Sequence, residues 1–333
     1  MDDVNRQVLL VEKPRGKLSP SNFKLAEAAV PTPADGEALL RVRYISLDAA
    51  NRAWMQGATY RSAVDAGSVM AGGAIAEVVD SKAPGFAKGD LVFADTGWQD
   101  YASLPGRQLI KVPRMEPMTH LLSVYGIAGL TAYFGLLRVG EPKAGETVAV
   151  SAAAGSVGSL VGQIAKIKGC RVIGVAGGAE KCAWLKSELG FDEAVDYKAG
   201  NLFAALKAAA PKGIDVYFDN TGGEILEACL PLMNMRGRIA CCGAVSAYDG
   251  APPAAGPRGV PGLLVVKRLR MQGFIVMDYD DERGAALADL QKWVAEGKLK
   301  VQEDVIVGLE NTPAALIGLL AGENRGKRMV KVA

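Results

Sequence analysis

Ala153-Ala154-Gly155-Ser156-Val157-Gly158 is the stretch of this chain best suited to hold a phosphate. It keeps the G-x-G-x-x-G spacing with alanine in the first glycine slot. The surrounding Thr147–Val175, TVAVSAAAGSVGSLVGQIAKIKGCRVIGV, reads as strand, tight turn, helix, strand. A strand feeding such a turn brings backbone N–H groups up to a pyrophosphate, and the next helix N-terminus faces its negative charge. A glycine-rich turn with no ligand would carry the same letters; the strand before and the helix after favour the nucleotide.

The end of the second strand indicates which nucleotide. An NAD site places Asp or Glu about 20 residues after the glycines, to accept from the ribose 2′-OH. This chain has Gly177 and Gly178 there, then Lys181, and Glu180 is expected already on the next helix. Missing negative charge with a nearby lysine suits a 2′-phosphate, so the expected cofactor is NADP(H). On spacing alone Lys181 could also be a solvated helix-start lysine.

The elements that must position these residues change character along the chain. Up to about Ile127, short β-like runs (ALLRVRYISL, GGAIAEVVD, DLVFAD) alternate with Gly and Pro turns, which suggests a small barrel or curled sheet. From Gly129 strands alternate with helices. Strands are expected at Thr147–Ser151, Arg171–Val175, Glu193–Asp196, Asp215–Asp219, Arg238–Cys242 and Met271–Val276, with helices such as Val157–Lys168, Lys181–Leu189 and Glu224–Met233. That alternation predicts an α/β fold with a doubly wound parallel sheet. Ala251–Gly262, rich in Pro and Gly, reads as a loop, either an irregular excursion or a substrate lid. From about Val301 the sequence returns to β-like runs around one helix. The first domain is therefore expected to be discontinuous, 1–127 plus 301–333, with a nucleotide domain of 128–300 inserted in it.

With 333 residues the chain can bury two cores. A formal net charge of +2 gives no electrostatic case for nucleic acid or a membrane surface. No apolar run is long enough to span a bilayer, and the first residues lack a signal peptide's apolar core, so a cytoplasmic protein is expected. The five cysteines, Cys170, Cys182, Cys229, Cys241 and Cys242, form no C-x-x-C and read as free buried thiols.

GLTAYFGL at 129–136, AAAGSVGSLVGQIAKIKGC at 152–170, YFDNTGG at 217–223, GRIACCGAVSAY at 237–248, FIVMDY at 274–279 and GENRGK at 322–327 form a further pattern. On these the chain resembles the zinc-independent medium-chain dehydrogenase/reductases. Within them it is similar to the leukotriene 12-hydroxydehydrogenase/prostaglandin reductase group, which includes plant 2-alkenal reductases and bacterial curcumin reductases. The resemblance implies a Rossmann sheet inserted in a GroES-like, barrel-type catalytic domain, with the active site in the cleft between. It also implies a homodimer and NADPH-dependent reduction of a small molecule's carbon–carbon double bond conjugated to a carbonyl.

Zinc alcohol dehydrogenases hold their catalytic metal with Cys and His, mostly from the first domain. This chain has no cysteine before Cys170 and a single histidine, His120, which reads as a packing or capping residue. No metal site is expected. Reduction must then be assisted by other groups. Hydride passes from the nicotinamide to the β-carbon, charge collects on the carbonyl oxygen, and one preorganised donor at that oxygen is worth roughly 2.7–4 kcal/mol. Tyr248, just beyond a strand end, matches a tyrosine of the group and is the main candidate donor; a tyrosine that only lines the pocket would fit the same position. The cofactor's ribose 2′-OH is a second donor this chemistry allows.

Matching positions give the expected cofactor contacts. Gly155, Ser156, Val157 and Gly158 form the pyrophosphate turn, and Lys181 faces the 2′-phosphate. Tyr197 resembles an adenosine-phosphate contact, and Asn220 sits at a strand end near the ribose or pyrophosphate. Cys242, Gly243 and Ser246 border the cofactor loop. Phe274, Ile275 and Val276 line the nicotinamide, and Asn324 meets the cofactor across the cleft. Where many members carry D-P-Y-M-R, this chain has Asp48-Ala49-Ala50-Asn51-Arg52, which suggests smaller pocket walls at Ala50 and Asn51. Arg52 alone reads equally as structural or functional. Tyr60 and Trp98 read first as core aromatics, with the pocket as the other possibility. Two further functions stay open on sequence: a quinone or enoyl-thioester reductase, and a non-catalytic NADP(H)-binding protein.

Overall fold

A computed structural model describes residues 4–249 and 256–332. The first part of the chain contains β1 (Val4–Leu10), β2 (Phe23–Ala29), β3 (Glu37–Ser46), α1 (Ala50–Gln56), β4 (Ala74–Ser81), β5 (Leu91–Ala94), β6 (Tyr101–Pro105) and β7 (Ile110–Lys111). Then follow α2 (Ile127–Phe134), β8 (Thr147–Val150), α3 (Ser156–Ile167), β9 (Arg171–Ala176), α4 (Ala179–Ser187), β10 (Glu193–Asp196) and α5 (Leu202–Ala209). Next come β11 (Ile214–Asp219), α6 (Gly223–Cys229), β12 (Met233–Cys241), α7 (Val260–Lys267), β13 (Arg270–Gly273) and α8 (Arg283–Ala295). The chain closes with β14 (Glu303–Val307), α9 (Thr312–Leu320) and β15 (Lys327–Lys331).

Six strands form one sheet in the order β10-β9-β8-β11-β12-β13, all parallel. This is the doubly wound order in which the chain runs outward from β8 to β10, then crosses back to place β11 on the other side of β8. Every residue of β8 is buried, as a strand covered on both faces requires. One face packs on α3 and α8 through residues such as Val161, Ile164, Leu290 and Trp293. The other packs on α5 and α6 through Leu206, Leu226 and Cys229.

The second sheet runs β14-β15-β3-β4-β5-β7, with β6 paired to β3. β15 lies antiparallel to β3, Val330 opposite Ile45, so the end of the chain shares a sheet with its beginning. β1 and β2 form a separate hairpin. Leu10, Val42, Ile45, Trp98, Leu316 and Val330 share one core there.

Several expected boundaries move. The helix expected over Glu224–Met233 ends at Cys229. Pro231 has no N–H to continue the helical ladder, leaving one tight turn before Met233 opens β12. The strand expected over Met271–Val276 stops at Gly273, and Val276 instead begins a run of 3₁₀ turns to Glu282. Of the expected Ala251–Gly262 loop, 251–255 lie outside the described residues. Its last three residues are helical, because α7 starts at Val260 with Pro261 in its first turn, where a missing N–H costs nothing. Residues 1–3 and 333 of the expected first domain also lie outside the description.

Candidate active site

The glycine turn is built as an anion cradle. Gly155 is the N-cap of α3 and brings no side-chain acceptor, so the helix's first N–H groups have no capping partner of that kind. Ser156 Oγ is buried without a hydrogen-bond partner among the described residues. A Cβ on Gly158 would stand 2.4 Å from the Ala152 carbonyl oxygen, so only glycine lets α3 start this close to the strand. Unpartnered donors at a helix N-terminus beside a buried hydroxyl fit a pyrophosphate.

The stretch before β15 closes over this turn. Gly326 N–H donates to the Ala154 carbonyl at 2.8 Å, and Gly155 and Gly326 form a parallel bridge. Asn324 is buried and its amide donates to the Gly326 carbonyl at 2.9 Å. Lys181 joins the same contact. Its ammonium donates to the carbonyls of Gly322 at 2.5 Å and Asn324 at 2.6 Å. Lys181 is therefore neither a freely solvated lysine nor aimed solely at a ligand: it straps α4 to the 322–324 backbone. Burial first, then the neighbouring cations Lys198, Arg325 and Arg328, hold its ammonium below the ordinary lysine pKa. Glu180, on α4 as expected, pairs with Arg325.

Beside this cluster the chain turns at Gly178, whose φ of 99° lies in the region that favours glycine. A carboxylate does reach this corner, from β10 rather than β9. Asp196 Oδ1 accepts the Gly178 N–H at 2.8 Å and the Lys198 N–H at 2.9 Å, and these backbone bonds hold its carboxyl below the usual range. Tyr197 and Lys198 lie across Gly177, where a Cβ would meet Lys198 Cε at 2.9 Å and Tyr197 Cε1 at 3.0 Å. Sequence reading named Tyr197 but missed Asp196 and Lys198. The D-Y-K triplet at a strand end was the available signal.

The ends of β11 and β12 carry the next group. Asn220 Nδ2 donates to the Ser151 carbonyl at 2.7 Å, and its N–H to Ser151 Oγ at 2.9 Å. Asp219 Oδ1 gathers Tyr217 OH and the N–H groups of Thr221 and Gly222 at 2.9, 3.0 and 2.9 Å. The Asp219 carbonyl accepts from Cys242 N at 2.8 Å and Gly243 N at 3.2 Å, and Ser246 Oγ donates to the Thr221 carbonyl at 2.6 Å. Asn220, Cys242, Gly243 and Ser246 thus meet at neighbouring strand ends. Burial pushes the Cys242 thiol up to about 12, so it stays protonated and is no nucleophile. Phe274 sits edge-on to Phe218, centroids 6.1 Å apart. Ile275 is part-exposed, and Val276 packs against the sheet's core.

Tyr248 ends the short turn after β12. Its phenol oxygen accepts the Ala244 N–H at 3.2 Å, and its carbonyl accepts Gln56 Nε2 from α1 at 3.0 Å. Arg52 is buried and pairs with Asp249, Nε to Oδ1 at 3.0 Å. Asn51 is no pocket wall. It is 1% exposed, accepts the Asp48 N–H at 2.7 Å and donates to the Ala71 carbonyl at 3.1 Å. Trp98 is a core residue stacked on Phe23, but Tyr60 is not: it is 54% exposed, edge-on to Trp54. His120 is half-buried with its ring against Tyr125. Among the described residues no three His, Cys, Asp or Glu side chains could hold a metal ion together, so no step is derived through zinc.

Residues 6–112 match the family described as the N-terminal domain of oxidoreductase, and residues 156–292 the family described as zinc-binding dehydrogenase. NADPH-dependent curcumin reductase of Escherichia coli (strain K12) is 44% identical in an alignment that covers 99% of this chain and 97% of that protein. Prostaglandin reductase 1 of Bos taurus is 47% identical, covering 93% of this chain and 94% of its own length. Two solved structures of CurA from Vibrio vulnificus, one in complex with NADPH, superpose with TM-scores of 0.94 at 44% identity. They cover 99% and 98% of this chain and 99% of each CurA chain.

Proposed function

Because this chain belongs to the curcumin, prostaglandin and 2-alkenal reductase group of the medium-chain dehydrogenase/reductases, we propose that it reduces the carbon–carbon double bond of α,β-unsaturated ketones and aldehydes. It is an NADP(H)-dependent oxidoreductase. When bound, NADPH supplies the hydride that goes to the β-carbon. The carbonyl π-electrons then collect on oxygen, and a proton completes the α-carbon.

In this reading the Gly155–Gly158 turn and Ser156 Oγ hold the pyrophosphate. Lys181 meets the 2′-phosphate, and Tyr197 is an adenosine-phosphate contact. Asn220, Cys242, Gly243 and Ser246 border the cofactor, Phe274, Ile275 and Val276 flank the nicotinamide, and Asn324 faces it from the other side of the cleft. That cleft lies between a catalytic domain of 1–127 with 301–333 and a nucleotide domain of 128–300. Tyr248 is the catalytic residue, donating to the oxygen on which charge develops.

One observation carries this reading: the Tyr248 phenol, held by Ala244 N–H, stands just past the carboxyl end of β12 beside Gly243, where ligands of open parallel sheets bind. The test is NADPH consumption with a panel of enones, enals, quinones and nitroalkenes. Faster turnover with enones and enals than with quinones supports it, and no catalysed consumption of NADPH with any of them refutes it.

A homodimer is part of the same reading. β13 is an edge strand of the parallel sheet, and Val265 and Val266 of the adjoining α7 are 75% and 64% exposed, an edge and an apolar patch that a second copy would cover. Five free thiols and the absence, among the described residues, of a helix long and apolar enough to cross a membrane are consistent with a cytoplasmic setting.

A further inference from the structure

Two stretches nearly 200 residues apart meet behind Tyr248. Helix α1 presents Arg52 and Gln56, four residues apart and so on one face. Gln56 Nε2 holds the Tyr248 carbonyl at 3.0 Å. Arg52 Nε holds Asp249 Oδ1 at 3.0 Å, and its Nη2 donates to the Gly16 carbonyl at 2.8 Å. The same Asp249 oxygen accepts the Leu18 N–H at 2.7 Å. Three bonds therefore fix two consecutive residues, 248 and 249, to α1 and the 16–18 segment.

The Arg52 side chain is 1% exposed and that of Asp249 19%. Arg52 Nη1 is buried with no hydrogen-bond partner among the described residues. A guanidinium keeps its charge at any working pH, so Asp249 is the carboxylate that compensates a charge shut away from water. Breaking such a pair from one side leaves the other charge uncompensated, which makes the tie hard to release. Lys13–Asp65, whose side chains are 41% and 83% exposed, is by contrast a pair that solvent can replace.

We propose that Asp249 is a positioning residue for the reduction: paired with buried Arg52, it pins the segment carrying Tyr248 to α1 and so sets where the phenol meets the substrate. The proposal rests on Tyr248 being the donor to the developing oxyanion. Misplacing a reacting group by about 1 Å can cost on the order of 100-fold, so a tie that touches no substrate can still control turnover.

The test compares D249N, Y248F and the double variant, full-length, by steady-state kinetics with NADPH and a simple enone. Binding of NADPH and hydrogen exchange of the 244–249 amides are measured alongside. The proposal expects D249N to lower kcat 10-fold or more with NADPH affinity within about twofold. In the Y248F background the same change should cost less than twofold, because the placed phenol is already gone. Exchange at 244–249 should quicken while peptides of β8 and α3 stay unchanged. Equal losses of kcat in both backgrounds, or unchanged exchange at 244–249, overturn it. If Y248F alone keeps full turnover, the reading of Tyr248 fails, and exchange then decides the tie by itself. Should D249N not fold, Q56A removes the exposed half of the tie. A two- to tenfold fall in kcat at constant NADPH affinity supports the proposal, and an unchanged kcat overturns it.

Discussion

The Ala244 N–H donates to the Tyr248 phenol oxygen at 3.2 Å, which occupies one of the phenol's acceptor positions and leaves its own proton to be donated. A donor oriented in this way helps most where charge appears, in the transition state rather than in the bound enone. Y248F should therefore lower kcat about 10–100-fold, below or near the loss of one oxyanion donor, with NADPH affinity nearly intact. Steady-state kinetics with several enones decides this. A raised KM at unchanged kcat would mean that Tyr248 binds substrate uniformly and takes no part in catalysis.

In the proposed reading Lys181 serves both the 322–324 backbone and the 2′-phosphate, and its variants should show both. K181A should weaken NADPH by roughly 10–150-fold, the value of a charge-assisted hydrogen bond of about 1.5–3 kcal/mol. NADH should weaken less, through loss of the strap to Gly322 and Asn324. Equal losses for the two cofactors would leave only the strap. The pH dependence has a definite sign. Only the ammonium attracts the 2′-phosphate, and in the free enzyme its pKa is held below 10.5 by burial and nearby cations. NADPH affinity should thus begin to fall at lower pH than an ordinary lysine would allow, while NADH affinity does not follow it. Titration of both dissociation constants checks this.

Gly158 has no room for a side chain. The added Cβ of G158A would meet backbone atoms of Ala152 and Ala153 at 2.4 and 2.8 Å, which cannot rotate away as a flexible side chain would. Overpacking of this kind costs about 1–3 kcal/mol, which lowers Tm by roughly 2–4 °C per kcal/mol in a chain of this order of size. NADPH binding should suffer with it because the turn itself shifts. Calorimetry and NADPH titration measure the two effects. An unchanged Tm would show that α3 does not pack this tightly.

Metal removal should have no effect. Among the described residues no cluster of His, Cys, Asp and Glu could hold an ion. Prolonged chelation followed by assay, with elemental analysis, tests this. Activity lost on stripping and restored by zinc would contradict it.

The parts of the site legible in sequence were those fixed by local backbone geometry. The 155–158 turn needs glycine where α3 approaches Ala152, and the alternation of strand and helix carries through to the sheet order. The shorter α6 traces to Pro231, and the earlier α7 start to Pro261 sitting inside a first helical turn rather than in a loop. What stayed hidden depends on contacts between distant segments. Asn51 stands where a pocket residue was expected, yet its amide bridges Asp48 and Ala71. Tyr60 has the composition of a core residue but lies at the surface against Trp54. Lys181 reads as a partner of the 2′-phosphate and Asp249 carries no signal of its own, until the fold brings residues 322–324 and Arg52 to them.

The most direct measurement follows the hydride itself. NADPH deuterated at the transferring C4 position is consumed with a simple enone, and the product is examined by NMR. The account predicts the saturated ketone, with deuterium on the former β-carbon and a solvent-derived hydrogen on the α-carbon. Deuterium on the carbinol carbon of an allylic alcohol would mean that the enzyme reduces the carbonyl instead, and would contradict the account.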